Sequence, residues 1–299
     1  MDTPRTDARL LDGKAIAAAV RAEVAAGAAD FAARAGRPPS LGVVLVGDNS
    51  ASRSYVTGKE KACAECGLAS RELTLPATAS FSDVLAAVHA LNADPAVDGI
   101  LVQLPLPDPR MEQAVIEAID PAKDVDGFHP LSMGRLLAGL PTFVPCTPLG
   151  IMEILARSGI PTRGAHAVIV GRSHIVGRPL SILLSRKPAD ATVTLCHTAT
   201  RDLADFTRSA DILVAAVGRP LTITADMVRP GATVIDVGVN RVPDPSSPRG
   251  YRLVGDTDYP ALLPVASAIT PVPGGVGPMT ITMLLHNTLL AAQRRTANP

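Results

Sequence analysis

The sequence contains no tryptophan, and aromatic residues make up only 3% of its 299 residues. Lysine plus arginine and aspartate plus glutamate are equal in number, at 28 each, so the chain carries no excess charge of either sign. Proteins that bind nucleic acid usually show a basic surface, and those that bind single strands add aromatic stacking platforms. We therefore expect no nucleic-acid partner.

Long apolar runs are also missing. No stretch reaches the roughly 20 residues of a membrane span without interruption by a charge, Gly or Pro. The first 13 residues are polar and contain a proline, with no apolar run of the kind found in signal peptides. We expect a short frayed N-terminal tail, no membrane partner and a cytoplasmic location.

Cysteines are few: Cys63, Cys66, Cys146 and Cys196. The first two form a Cys-x-x-Cys pair, but structural zinc needs a second pair or suitably spaced histidines. A redox pair usually lies at the start of a helix, whereas this pair falls late in a predicted one. We expect neither a metal site nor a redox pair.

Helical periodicity and short apolar runs alternate along the chain, which favours an α/β fold with parallel strands. The predicted helices span 13–34, 51–66, 80–92, 110–119, 145–159, 177–187 and 279–293. The predicted strands span 41–47, 70–75, 98–104, 165–171, 191–197, 211–218 and 232–238. Between them, 120–148 is rich in Gly and Pro, and 240–251 is predicted to be an exposed loop.

Three polar residues occupy positions that a core would not favour. Lys59 follows Tyr55 by four residues, so a helix would place both on one face. Gln103 interrupts the apolar run GILVQLPLP, and Asp126 lies in the turn KDVDGF. Together they indicate a small-molecule site. Two alternatives stay open, because a helical lysine usually faces solvent and an Asp before Gly commonly caps a turn.

A second site is indicated where the strand at 165–171 leads into a helix through GRSHIVGRP. A strand, a glycine-bounded loop and a helix N-terminus can present backbone N–H groups to a phosphate. An ordinary βα turn also fits this loop, because Ser173 replaces the second glycine of G-x-G-x-x-G. The next strand ends without the carboxylate that binds the ribose 2′-hydroxyl of NAD, and Arg172 suits a 2′-phosphate. We predict NADP rather than NAD. The later strands end in glycine, near Gly218 and Val239, where the backbone either borders the nicotinamide or only forms tight turns.

With these segments placed, the chain resembles the bifunctional methylenetetrahydrofolate dehydrogenase/methenyltetrahydrofolate cyclohydrolase family over almost its whole length. The matching segments are SYVTGKEKAC, GILVQLPLP, PAKDVDGFHP, PCTPLG, VGRSHIVGRP and TPVPGGVGPMT. The resemblance implies a homodimer in which an N-terminal α/β folate domain and a Rossmann-like NADP-binding domain enclose a cleft. We expect the folate domain to span 1–148, completed by the helix 279–299, and the NADP domain to span 149–278.

The resemblance also assigns the site residues. Lys59 would be the central catalytic residue, with Tyr55 flanking the folate, Gln103 tuning the lysine and Asp126 holding the pterin. The remaining substrate positions would be Ser52, Gly274 and Gly275. The cofactor positions would be Gly171, Arg172, Ser173, Thr198, Gly218, Val239 and Thr280. One departure weakens the expected selection of NADP, because Ala199 stands where a basic residue is usual; Arg201 offers a compensating charge.

The implied reaction is the oxidation of 5,10-methylenetetrahydrofolate with NADP, followed by hydrolysis to 10-formyltetrahydrofolate. Hydride transfer needs geometry more than a general base, whereas hydrolysis needs a lysine that is partly neutral near pH 7. Two alternatives on a similar scaffold are a shikimate-type NADP dehydrogenase and a non-catalytic NADP-binding sensor.

Overall fold

The computed structural model describes residues 7–248 and 250–297. Its strands, in chain order, are β1 (Arg9–Leu10), β2 (Ser40–Val46), β3 (Ala69–Leu75), β4 (Gly99–Val102), β5 (His166–Val170), β6 (Thr192–Cys196), β7 (Ile212–Ala215), β8 (Thr233–Asp236), β9 (Asn240–Pro243), β10 (Tyr251–Val254) and β11 (Ala268–Ile269). Its α-helices are α1 (Gly13–Ala35), α2 (Ser50–Glu65), α3 (Phe81–Ala93), α4 (Glu112–Glu117), α5 (Pro130–Leu137), α6 (Cys146–Arg157), α7 (Gly177–Ser185), α8 (Leu203–Thr207), α9 (Tyr259–Leu262) and α10 (Val276–Ala297). None of the helices within these ranges is both long and apolar enough to cross a bilayer.

The chain forms two compact units. Unit 1 contains the described residues up to Ala17 together with Thr147–Thr280, and unit 2 contains Ala18–Cys146 and the residues from Ile281 onward. The domain boundaries expected from the sequence, at residues 148 and 278, stay predictions.

Unit 2 is built on a three-stranded parallel sheet in the order β3-β2-β4. Every residue of the central strand β2 is buried, which explains why it appears in the sequence as a continuous apolar run. Helix α3 packs Val84, Val88 and Leu91 into the same core as Val44 and Ile100. Because the strands are parallel, their carboxyl ends share one edge, and Gln103 follows β4 at that edge.

Unit 1 is built on a six-stranded sheet in the order β1-β11-β8-β7-β5-β6. Its paired strands are parallel, so the loops that follow β5, β6, β7 and β8 all leave the sheet at the same edge. Open α/β sheets bind their ligands at this carboxyl edge. The two-domain α/β class and the parallel sheet predicted from the sequence are confirmed.

Two segments expected to be irregular are ordered instead. Residues Arg9 and Leu10 pair in parallel with β11, and Leu11 is buried, so the prediction of a frayed tail is wrong from Arg9 onward; residues 1–6 lie outside the described residues. The loop predicted over 240–251 begins with strand β9 and ends at the first residue of β10, and the two strands pair in antiparallel fashion, with Val242 opposite Arg252. Its Pro and Ser residues are concentrated in the turn, which leaves the flanking residues free to pair.

An unpredicted helix, α5, and the start of helix α6 also differ from the prediction. Helix α5 lies inside the Gly- and Pro-rich stretch 120–148, where Pro130 occupies the first turn and the His129 ring accepts a hydrogen bond from the Leu131 N–H. Proline suits the start of a helix, so the composition of this stretch was misleading. Helix α6 begins at Cys146, which places the predicted N-cap Thr147 within its first turn.

Candidate active site

Helix α2 brings Tyr55 and Lys59 onto one face, as their spacing predicts. The Lys59 side chain is buried, with only 9% of the residue exposed, and its Nζ donates a hydrogen bond of 3.0 Å to Gln103 Oε1. Tyr55 is 49% exposed, which leaves its ring accessible to a ligand. Ser52, one turn earlier on α2, is buried, and its N–H donates to Asn49 Oδ1. The lysine therefore does not occupy a solvated helix face.

Gln103 is held in place by its own backbone and side chain. Its N–H donates to Val44 O at 2.9 Å, which extends the pairing of β4 with β2 by one residue. Its Nε2 donates to Leu104 O at 2.6 Å, so the amide oxygen is the atom that faces Lys59. An uncharged oxygen accepts a hydrogen bond from the amine and adds no full negative charge beside it.

Asp126 lies in a loop of unit 2. The charged side chains of Lys123 and Asp124 anchor this loop in the core. Lys123 Nζ donates to three backbone oxygens, those of Leu91, Asn92 and Asp94, at 2.8–2.9 Å. The buried carboxylate of Asp124 accepts hydrogen bonds from three groups of the following segment: the Phe128 N–H at 3.1 Å, the His129 N–H at 3.0 Å and Ser132 Oγ at 2.6 Å. These bonds fix the backbone that presents Asp126.

Helix α10 adds a second clamp on this loop. Asn287 is buried, and its Nδ2 donates to Val125 O at 2.8 Å and to Val144 O at 3.0 Å. Cys146 Sγ also lies within 3.5 Å of Val125 O. Asp124, Asn287 and Cys146 were not predicted from the sequence as members of the site. A lone amide within the apolar run of α10 was a signal that could have identified Asn287.

Burial and charge shift the titration of the central groups. Burial lowers the pKa of Lys59, and the nearby Asp126 carboxylate opposes that shift by raising it. Burial likewise raises the pKa of Asp126, while the charge of Lys59 lowers it. Burial also raises the pKa of Asp124 to about 6, although the donors around its carboxylate act in the opposite direction. The arrangement thus favours a lysine that loses its proton more readily than a solvated one.

The four cysteines lie in surroundings that suit neither thiolate chemistry nor metal binding. All four are free and buried. Burial raises the pKa of each thiol, to about 12 for Cys63, whereas a reactive thiol needs a lowered pKa. Across residues 7–248 and 250–297, no group of three or more His, Cys, Asp or Glu side chains is arranged to hold a metal ion.

The glycine loop of unit 1 lies directly after β5. Gly171 has φ +127°, and a Cβ there would overlap the backbone oxygen of Ala216. A Cβ on Gly177, where α7 begins, would overlap the Gly171 backbone, so both positions require glycine. Ser173 Oγ accepts a hydrogen bond from the Val176 N–H at 3.1 Å, and Arg172 is exposed. The loop therefore has the tight approach of strand end to helix start that a phosphate cradle needs.

The other predicted cofactor residues follow neighbouring strands of the same sheet. Thr198 is exposed after β6, Gly218 follows β7, and Val239 is exposed after β8. The predicted substrate residues Gly274 and Gly275 lie between β11 and α10. The predicted cofactor residue Thr280 lies on α10, with its Oγ1 2.9 Å from Thr147 Oγ1. The sheet thus brings Gly171, Thr198, Gly218 and Val239 to its carboxyl edge. Lys59, Gln103 and Asp126 belong to unit 2, and this second group belongs to unit 1.

Two family models match the chain. The catalytic domain of tetrahydrofolate dehydrogenase/cyclohydrolase matches residues 11–126, and the NAD(P)-binding domain of the same enzymes matches residues 145–296. The chain belongs to the tetrahydrofolate dehydrogenase/cyclohydrolase family. The resemblance predicted from the sequence is confirmed, and membership of this family decides against the shikimate-type alternative.

Relatives of the family match over nearly their full length. Bifunctional protein FolD 1 of Myxococcus xanthus is 60% identical, over 97% of this chain and 99% of that protein. The crystal structure of the bifunctional methylenetetrahydrofolate dehydrogenase/cyclohydrolase from Campylobacter jejuni has 46% identity and a TM-score of 0.90, and the match covers 96% of this chain and 99% of that one. The Trypanosoma brucei dehydrogenase-cyclohydrolase, complexed with NADP and an inhibitor, has 40% identity and a TM-score of 0.93, with coverage of 99% and 100%.

Proposed function

We propose that this chain oxidises 5,10-methylenetetrahydrofolate with NADP and then hydrolyses the methenyl product to 10-formyltetrahydrofolate. The observation that carries the proposal is the buried Lys59, whose amine is hydrogen-bonded to an amide rather than to a carboxylate. Membership of the dehydrogenase/cyclohydrolase family and the names of the relatives agree with both activities.

For the hydrolytic step, Lys59 acts as the proton carrier. In its neutral form, Nζ takes a proton from the water that attacks the methenyl carbon. The proton then goes to nitrogen 5 of the folate as its bond to that carbon breaks. The remaining hydroxyl proton leaves to solvent as the carbonyl forms, which leaves the formyl group on nitrogen 10. General acid-base catalysis works best when the pKa of the group lies near the working pH. Burial of Lys59 moves its pKa in that direction.

The neighbours of Lys59 bind and orient the folate. Asp126 is only partly exposed and offers a carboxylate to the hydrogen-bond donors of the pterin, while the exposed ring of Tyr55 offers a flat surface for stacking. Gln103 holds the amine without a counter-charge, and Ser52, near the start of α2, supports the same pocket.

The dinucleotide fits the carboxyl edge of the unit 1 sheet. The absence of a Cβ at Gly171 and Gly177 lets the start of α7 pack closely on the end of β5, which places the N–H groups at the helix start where they can bind a pyrophosphate. The exposed Arg172 supplies a guanidinium for a 2′-phosphate. When bound there, NADP supplies the hydride acceptor. The chain's own contribution is to bind and orient it, through Ser173, Thr198 and the turns at Gly218 and Val239.

The finer expectations follow from the family resemblance. We propose a homodimer, a cytoplasmic location, and domains that divide at residues 148 and 278. The residues Gly274, Gly275 and Thr280 are proposed to contact ligands because they lie at the turn into α10 that the family motif PGGVGPMT marks.

Two absorbance assays on the purified protein test the proposal. Reduction of NADP in the presence of methylenetetrahydrofolate tests the dehydrogenase, and loss of methenyltetrahydrofolate without any nucleotide tests the cyclohydrolase. We expect both activities, with NADP preferred over NAD. A protein that binds NADP but catalyses neither reaction would be the sensor alternative, and the proposal would be wrong.

A further inference from the structure

Two buried carboxylates lie beneath the carboxyl edge of the unit 1 sheet, and neither is among the residues assigned above. Asp256, which is fully buried, follows β10, and Asp236 is the last residue of β8. The sheet pairing of β7 continues through the Ala216 N–H, which donates to Val170 O, and that of β8 through the Val237 N–H, which donates to Ala215 O. Beyond these residues, the backbone N–H groups donate to the carboxylates of Asp256 and Asp236 rather than to backbone oxygens.

Asp256 holds the turn after β7. Its Oδ2 accepts hydrogen bonds from the Val217 N–H at 2.7 Å and from the Gly218 N–H at 2.9 Å. Its Oδ1 accepts a third from Asn240 Nδ2 at 2.9 Å, at the start of β9. Bonds from N–H groups to an ionised carboxylate are among the stronger ones in proteins.

Asp236 in turn holds Asp256. Its Oδ1 accepts from the Gly238 N–H and from the Asp256 N–H, both at 2.9 Å. Its Oδ2 accepts from the Thr257 N–H at 2.9 Å and from Thr257 Oγ1 at 2.7 Å. The ends of β7 and β8 are therefore connected through two carboxylates rather than through further sheet pairing.

The backbone packs tightly against both carboxylates. A Cβ on Gly238 would overlap the Asp256 carboxylate, and a Cβ on Gly255 would overlap the Asp236 carboxylate. A longer side chain at either acid would meet the same backbone. The geometry of the two turns thus depends on an acceptor of this length and charge.

We propose that Asp256 is a positioning residue for the dinucleotide: it fixes the Val217–Gly218 turn, beside the Gly238–Val239 turn that Asp236 holds, as the wall against which the nicotinamide half of NADP binds. The inference rests on the proposed function, since it assumes that NADP occupies this edge. Asp256 does not itself contact the ligand; it acts through the backbone of the turns.

The main test is Asp256→Asn. An amide places an NH2 group where only acceptors fit, against either the Val217 and Gly218 N–H groups or Asn240 Nδ2. We expect the KM for NADP to rise about tenfold or more, with a smaller change in the KM for methylenetetrahydrofolate. Hydrolysis of methenyltetrahydrofolate without nucleotide, measured on the same preparation, reports whether the protein is folded, and we expect it to stay within about twofold of wild type.

Asp211→Asn is the matched control. Asp211 also bonds a backbone N–H, that of His166 at 2.8 Å, but it does so at the amino edge of β5 and β7. The Asp211→Asn substitution should lower the free energy of unfolding without changing the KM for NADP. If Asp256→Asn does not fold, Asn240→Ala removes one donor to Asp256 and should raise the KM for NADP several-fold while hydrolysis is retained.

The outcomes separate the two proposals. A wild-type protein that does not reduce NADP would overturn the proposed function. A wild-type protein that does, with an unchanged KM for NADP in Asp256→Asn, would overturn this inference alone. The inference is also overturned if Asp256→Asn does not fold and Asn240→Ala leaves that KM unchanged, or if Asp211→Asn raises the KM as much as Asp256→Asn does.

Discussion

At the scale of single residues, the chemistry depends on which group faces Lys59. The amide oxygen of Gln103 accepts from Nζ at 3.0 Å, and burial lowers the pKa of the lysine. A carboxylate in the same place would stabilise the ammonium form, because an opposite charge at this distance raises the pKa of a lysine. The identity of residue 103, together with burial and the Asp126 carboxylate, therefore affects how much neutral amine exists near pH 7.

Gln103→Glu tests this dependence with a side chain of the same length. The neutral fraction of Lys59 increases as pH rises through its pKa, so we expect the hydrolysis rate to increase with pH in the wild type and the variant. In the variant this increase should move to higher pH, with a loss of about tenfold at pH 7 for each unit by which the pKa rises. Gln113→Glu, at an exposed position on α4, is the control. An unchanged pH profile in Gln103→Glu would contradict the account.

Arg172 is the second residue whose role can be tested on its own, because its loss should affect the use of NADP and not that of NAD. Arg172→Ala should raise the KM for NADP about tenfold or more, the range expected for loss of a charge-assisted hydrogen bond to a phosphate, and leave the KM for NAD unchanged. Arg163→Ala removes an exposed arginine of the same unit as a control. Equal effects on both nucleotides would show that Arg172 does not read the 2′-phosphate.

At the scale of secondary-structure elements, the loop that carries Asp126 depends on a residue far away in the sequence. Asn287 on α10 donates to the backbone oxygens of Val125 and Val144. Helix α10 thereby connects the end of the chain to the loop that presents a predicted catalytic carboxylate.

Asn287→Leu tests this connection. Leucine has a similar size but donates to neither Val125 O nor Val144 O, and only Val125 O keeps a second donor, the weak Cys146 thiol. Loss of a donor to a carbonyl oxygen away from water costs about 1–3 kcal/mol. We expect a lower midpoint in urea unfolding and a higher KM for the folate substrate. Gln293→Leu, later on the same helix, should change neither by much. A loss of stability with an unchanged KM would mean that Asn287 supports the fold but not the position of Asp126.

The sequence predicted the elements whose pattern is local. Strands β2 and β5 are buried runs of apolar residues, and the spacing of Tyr55 and Lys59 placed them on one helix face. The pairing of Lys59 with Gln103 joins residues 44 positions apart, so the family resemblance implied it and no local pattern did. The pairing of Asn287 with Val125 joins residues 162 positions apart, and neither the pattern nor the resemblance indicated it. The β9–β10 pair was missed because its turn residues dominate the composition of a short segment, and α5 because Pro130 begins the helix rather than breaking it.

At the scale of the whole molecule, the two proposed activities depend on different groups of residues. Lys59, Gln103 and Asp126 lie in unit 2, whereas the glycine loop and the turns that Asp236 and Asp256 hold lie in unit 1. Substitutions can therefore be sorted by whether they impair hydrolysis, which uses no nucleotide, or the use of NADP. The central claim is that Lys59 carries the proton in hydrolysis.

The most direct measurement is the rate of methenyltetrahydrofolate hydrolysis by Lys59→Met, with Lys61→Met as the control. Lys61 lies two residues later on α2 with an exposed side chain. We predict that Lys59→Met loses about 10²-fold or more of the hydrolysis rate, the contribution typical of a general acid-base group, while Lys61→Met keeps the wild-type rate. A folded Lys59→Met protein that hydrolyses methenyltetrahydrofolate at close to the wild-type rate would contradict the account.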